Sequence, residues 1–142
     1  MFTDSWFLWA LLSACFAALT AIFAKVGLHG IDSDFATLIR TIIIVFVLAI
    51  IVSMLGKWQD PRQLSIKVWV FLTLSALATG ASWVCYFKAL QMGNASQVAP
   101  IDKLSVVLVT IFAVVFLGER PSFQEYIGIG LIATGVLTIA LK

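Results

Sequence analysis

A chain of 142 residues that is 62% hydrophobic and only 11% charged is not a soluble domain, because soluble chains are about half apolar and about a quarter charged. Its mean hydropathy of +1.09 calls for lipid as the solvent of most of its surface. The net charge of +2 has no basic run to concentrate it, which argues against nucleic acid as a partner. Two cysteines, Cys15 and Cys85, and the single His29 have no spacing that makes a zinc cage or a Cys–His pair. No metal, cofactor or catalytic group is therefore expected. Both cysteines lie in apolar stretches and are expected to be buried as small apolar residues.

A secretory signal opens on a positive segment before a short apolar core. Here Met1-Phe2-Thr3-Asp4-Ser5 carries an acid, and the apolar run behind it is long enough to span, so the first helix is expected to be retained. A hydrocarbon core about 30 Å thick needs about 20 helical residues. Five runs meet that length: Trp6–Ala24, Phe35–Leu55, Val68–Leu90, Ser96–Leu117 and Phe123–Leu141. They are continuous rather than alternating, and in lipid only helices or closed barrels satisfy the backbone, so helices are predicted.

The breaks carry their own punctuation. Gly27 to Ser33 separates the first two spans, with Ser33 or Asp34 as N-cap. The longest loop, Gly56 to Lys67, holds the turn signal Asp60-Pro61. Met92-Gly93-Asn94-Ala95 and Gly118-Glu119-Arg120-Pro121 are tight connections, and Ser122 with Glu125 fits a capping box opening the last helix. Connections this short leave no room for a soluble domain. Residues 1–142 thus read as one all-α integral membrane domain, a five-transmembrane-helix bundle whose main partner is the lipid bilayer.

Small residues recur on single helix faces: Ala10, Ala14, Ala17, Ala18 and Ala21 in the first span, and Gly130, Thr134 and Thr138 in the last. Such faces let membrane helices approach closely, within or between chains. With five spans the termini, Met1 and Lys142, face opposite sides. Lys57, Arg62, Lys67 and Arg120 then fall on the N-terminal side; Lys25 and Lys142 fall on the other, joined by Arg40, Lys88 and Lys103 if those snorkel. Orientation is set by a lysine and arginine excess on one side, and here that excess is weak. Domination by the one long loop and insertion in both orientations are both consistent with it.

Ionisable residues inside spans are costly and are usually paired or functional. Arg40 lies about 8 Å along its helix from Phe35, at about 1.5 Å per residue, and is expected to snorkel to the interface. Lys88 and Asp102 lie seven residues either side of Ala95, so an antiparallel hairpin sets them at similar depth as an ion pair or a gating pair. Lys103 lines up with Ser96 and Thr110 at helical spacing, a polar strip suited to substrate binding. Pro100 frees a carbonyl one turn back, which kinks a helix or faces a wet cavity. Trp83 and Tyr86 are candidates to stack on a ligand, and packing between helices is the competing role.

From the third span onward the chain resembles a known family. Trp83-Val84-Cys85-Tyr86-Phe87-Lys88-Ala89-Leu90, Ala95-Ser96-Gln97-Val98-Ala99-Pro100-Ile101, Phe116-Leu117-Gly118-Glu119-Arg120 and the glycine-bearing Gly128 to Gly135 are similar to the EamA-type repeat of the drug/metabolite transporter superfamily. Lys25 and Arg40 sit where small single-repeat members carry basic residues. Typical members have ten helices in two oppositely inserted repeats, and this chain has one. The resemblance implies an antiparallel homodimer that rebuilds the ten-helix transporter, with a related single-repeat subunit as the alternative partner. Inverted-repeat transporters bind substrate near midplane between repeats.

Small multidrug exporters of that superfamily use a glutamate in the first helix, and Trp6–Ala24 contains no acid. A proton-coupled exporter of lipophilic cations is thus disfavoured, and the basic surplus suits carboxylate-bearing small-molecule substrates. The expected protein is a metabolite or drug transporter of a prokaryotic cytoplasmic (inner) membrane, working by alternating access. Its competitor is a non-transporting membrane subunit that assembles with or regulates another membrane protein. An intramembrane enzyme lacks any paired catalytic groups.

Overall fold

The computed structural model describes residues 5–141. Five helical spans long and apolar enough to cross a membrane follow one another: Trp6–Gly27, Ser33–Met54, Ile66–Met92, Ala95–Leu117 and Phe123–Ala140. These match the expected runs to within a turn, and the described residues form no strand. The expectations attached to Met1, Phe2, Thr3, Asp4 and Lys142 fall outside the described residues.

The helices are α1 (Ser5–Gly27), α2 (Ser33–Met54), α3 (Ile66–Met92), α4 (Ala95–Asp102), α5 (Ser105–Phe112) and α6 (Phe123–Ala140). A 3-10 turn at Pro61–Gln63 interrupts the long loop, and a π-helical turn, Ala113–Leu117, closes the fourth span. That span is therefore not one straight helix. Its break lies after Pro100, at Lys103 and Leu104, whose N–H groups donate to Pro100 O and Ile101 O three residues back at 2.9 and 3.0 Å. Pro100 was expected to free a carbonyl one turn back; downstream of it the backbone tightens into 3-10 geometry, the usual way a helix end satisfies its orphan groups.

The N-cap of α2 is Asp32, which corrects the expected Ser33 or Asp34. Asp32 is extended, and its carboxylate accepts from the N–H of Asp34 at 2.9 Å and of Phe35 at 3.1 Å. Ser33 is already helical, so it cannot cap. Gly30 precedes this cap with φ +75°, a left-handed conformation that residues with a Cβ adopt at a cost. The capping box of α6 forms as expected: Ser122 Oγ accepts from Glu125 N–H, and the Glu125 carboxylate accepts from Ser122 N–H.

By proximity the chain divides into two compact units, residues 23–91 and residues 5–22 with 92–141. In the first, Lys25 Nζ donates to Leu90 O at 2.6 Å and Gln91 Nε2 donates to Ile31 O at 2.9 Å. Both bonds satisfy carbonyls at a helix end or loop that no helical N–H reaches. Leu90 is fully buried there, and Leu28, Ser33, Thr37 and Phe87 are buried as well. At the far end of α2 and the start of α3, Trp58 donates to Ser53 Oγ and Trp69 to Pro61 O, the placement of an interfacial aromatic belt. In the second unit α4 and α5 pack on α6, and Val136 and Ala21 are buried.

Most large apolar side chains, among them Trp9, Phe46 and Phe116, are exposed, which is the inverse of a soluble fold and fits lipid as solvent. Cys15 and Cys85 are exposed too, which corrects the expectation that protein would bury them. A thiol is apolar enough to face hydrocarbon. Hydroxyls within the spans stay satisfied by bonding back to the carbonyl four residues earlier, as Thr37 does to Ser33, Thr79 to Ser75 and Thr138 to Thr134.

Candidate functional site

The most unusual side-chain arrangement lies in the 23–91 unit. Arg40 enters α2 seven residues after Ser33, about 10 Å along the axis at about 1.5 Å per residue. On α3, Trp83 and Phe87 are four residues apart and so share one face. The Arg40 guanidinium carbon lies 4.6 Å from the Trp83 ring centroid and 4.7 Å from that of Phe87. Tyr86 meets Phe87 edge-on at 6.2 Å. Arg40 was expected to run out to the interface, and the structure sets its guanidinium over this aromatic pair. Ring faces attract a desolvated cation, which makes the inward rotamer tolerable.

The rings satisfy only part of what the guanidinium needs. Its N–H bonds lie in its own plane and seek oxygen acceptors, which an aromatic face does not provide. Nη1 is buried and has no hydrogen-bond partner among the described residues. Near the Lys25–Leu90 contact is a cleft of about 230 Å³ lined by Lys25, Leu28, His29, Gly30, Leu90 and Gln91.

In the other unit Asp102 meets Lys103 at 3.4 Å, with both side chains partly exposed. Lys88, the residue expected to pair with Asp102, is exposed on α3 in the 23–91 unit. An exposed pair of this kind is worth about 0–1 kcal/mol, so it can be exchanged at little cost. Ser96 is exposed on α4. Thr110 donates to Val106 O at 3.0 Å and lines a cavity of about 370 Å³ with Ala113, Glu119, Glu125, Gly128 and Ile132.

Ser96, Asp102, Lys103 and Thr110 thus share one unit, and the strip expected of Ser96, Lys103 and Thr110 crosses the break between α4 and α5. Trp83, Tyr86 and Lys88 belong to α3 in the other. The sequence reading missed both Trp83 and Phe87 as rings for Arg40, and it missed Glu119 and Glu125 at the α5–α6 cavity. An aromatic pair at i, i+4 on a helix, in a chain with a lone mid-span arginine, was the available signal for the first. No group of three or more His, Cys, Asp or Glu that could hold a metal occurs among the described residues.

Comparison with known proteins sets this chain in a family. Residues 4–141 match the model of the EamA-like transporter family. An uncharacterized transporter encoded 3′ of cobO in a Sinorhizobium species is 56% identical over 139 residues, covering 98% of this chain and 99% of that protein. The probable 4-amino-4-deoxy-L-arabinose-phosphoundecaprenol flippase subunit ArnE of Hamiltonella defensa is 28% identical over 83 residues, 58% of this chain and 73% of ArnE. The uncharacterized transporter YxxF of Bacillus subtilis is 26% identical over 130 residues, which are 91% of this chain but only 40% of YxxF. No solved structure matches. With a family match that runs nearly end to end, this five-span membrane protein belongs to the EamA-like transporter family.

Proposed function

We propose that this chain is a transporter of small carboxylate-bearing metabolites or drugs that works as a dimer of oppositely inserted copies in a prokaryotic inner membrane. The observation that carries this reading is one of length: 91% of the chain matches only 40% of YxxF. In this reading a second five-helix repeat, supplied by an oppositely inserted copy, completes the path. Inverted-repeat architecture places substrate between two such repeats. Residues 1–142 act in this reading as a single five-helix domain, one repeat of the pair. The small residues Gly80, Gly128, Gly130 and Gly135 have open space where a Cβ would stand, room for another helix to approach.

Within the subunit, Lys103 supplies a cationic contact, released from its weak pairing with Asp102, and Ser96 and Thr110 add polar groups along the same span. Trp83 and Tyr86 contribute the aromatic surface of α3, and Lys88 and Asp102 gate. Opposite insertion is tested by a Lys57→Cys protein with Cys15 and Cys85 replaced by alanine. A membrane-impermeant maleimide applied to intact cells should label part of the population, and the remainder should react only after permeabilisation. Labelling from a single side overturns opposite insertion.

A second reading is favoured by one observation, the match to a protein named as a flippase subunit. In that reading this chain pairs with a different single-repeat chain, and the opening passed by the pair carries a lipid-linked sugar. Cross-linking of two epitope-tagged copies separates the two: a self-dimer supports the first reading, and a tagged copy captured only with another small membrane chain supports the second.

A further inference from the structure

We propose that Arg40, held between Trp83 and Phe87, is a binding site for the oxyanion of a small molecule, a carboxylate or a phosphate monoester. The inference rests on the transport reading only for the identity of the molecule as cargo; the site itself stands on geometry.

Three observations carry it. The guanidinium carbon lies over both rings, 4.6 Å from one centroid and 4.7 Å from the other, so its position is set while the rings supply no oxygen acceptor for its N–H groups. Nη1 is buried without a partner among the described residues. And the two helices that hold it offer no counter-ion at its depth: α3 contains no acid, and the only carboxylate of α2 is Asp34 in its first turn. The remaining polar side chains near the loop end of the same unit differ in this respect. Lys25 reaches Leu90 O and Gln91 reaches Ile31 O, and Thr37 and Thr41 donate to carbonyls of their own helix.

An arginine kept for packing alone would be completed by such backbone oxygens. One that is oriented by aromatics and left short of an acceptor is completed by an oxygen from outside the helix pair. The planar fork matches a carboxylate or phosphate with two parallel N–H···O bonds, and the aromatic pair excludes water that would screen them. The side chain is half-buried, so an edge remains open to an entering group. A flat aromatic body on the ligand fits the neighbouring Tyr86.

The test uses the full chain in maltoside micelles, free of phosphate. Replacing Arg62 and Arg120 by lysine leaves Arg40 as the one arginine, and labelling with 15N-arginine makes its side-chain resonances the readout. Benzoate and phenyl phosphate should shift them saturably, and the neutral benzamide should not. Arg40→Lys, which keeps the charge and loses the fork, should weaken binding by about tenfold, measured by competition with labelled benzoate; Arg40→Gln should abolish it. Resonances that stay still with both anions overturn the site, as does a shift produced by phosphatidylglycerol alone, which makes Arg40 a lipid headgroup contact. If the resonances move while proteoliposomes carry no carboxylate, the transport reading falls and the site stands. If the resonances stay still while wild type and Arg40→Gln carry carboxylates equally well, the site falls and the transport reading stands.

Discussion

Replacing Lys25 by methionine should cost this protein about 2 kcal/mol. The lysine lies in the last turn of α1, and its ammonium donates to Leu90 O at 2.6 Å. Leu90 is 0% exposed, and α3 ends two residues later at Met92, so no helical N–H stands four residues on to take that carbonyl. Methionine keeps the unbranched stem and the helix propensity, and it removes only the donor. A hydrogen bond to a charged group contributes about 1.5–3 kcal/mol in soluble proteins. Hydrogen bonds between membrane helices average nearer about 0.6 and reach about 1.7 kcal/mol. A charged donor on a fully buried carbonyl belongs where the two ranges meet, just above the membrane maximum, and about 2 kcal/mol is roughly a 30-fold change in the folded fraction. Reversible unfolding in mixed micelles with increasing dodecyl sulfate measures it. Lys25→Arg, which keeps the charge and the reach, should recover most of the loss. Lys57→Met, on an exposed loop residue, should lose nothing. A Lys25→Met protein that unfolds with wild type, or a Lys57→Met protein that loses as much, refutes the reasoning.

Two further outcomes are expected. Ser122→Ala removes the side chain that caps α6 and should cost about 1 kcal/mol, seen first as faster amide exchange at Glu125; unchanged exchange there would show that the cap carries no stability. Lys103→Gln should lower the initial rate of carboxylate uptake by at least about tenfold, the loss of one charge-assisted contact, while cross-linking still finds the same oligomer. Normal uptake by that variant makes Lys103 a surface anchor and removes it from the site.

How much of this was legible beforehand differs from residue to residue. The capping box at Ser122 and Glu125 is a contact within four residues, and such local contacts are written into spacing. Asp32 shows how narrow that legibility is: three polar residues, Asp32, Ser33 and Asp34, each suit a cap, and only the backbone angles say which of them is still extended when the helix begins. Pro100 announced an irregularity in the fourth span. Where the break falls depends on which donors turn to carbonyls three residues back, and those were Lys103 and Leu104. Ser96 and Thr110 lie on opposite sides of that break, so the side-chain ladder drawn for a straight helix does not describe the site.

The sequence by itself determined the solvent, the number of spans and their edges, because a run of about 20 apolar residues is decided by transfer into lipid, one segment at a time. It did not determine which polar groups within those spans are satisfied. Arg40 found Trp83 and Phe87, more than forty residues away, and Lys25 found Leu90, sixty-five residues away. Where a buried charge turns is set by whichever acceptors and rings the packing of other helices brings within a few ångströms, and only the tertiary structure decides that.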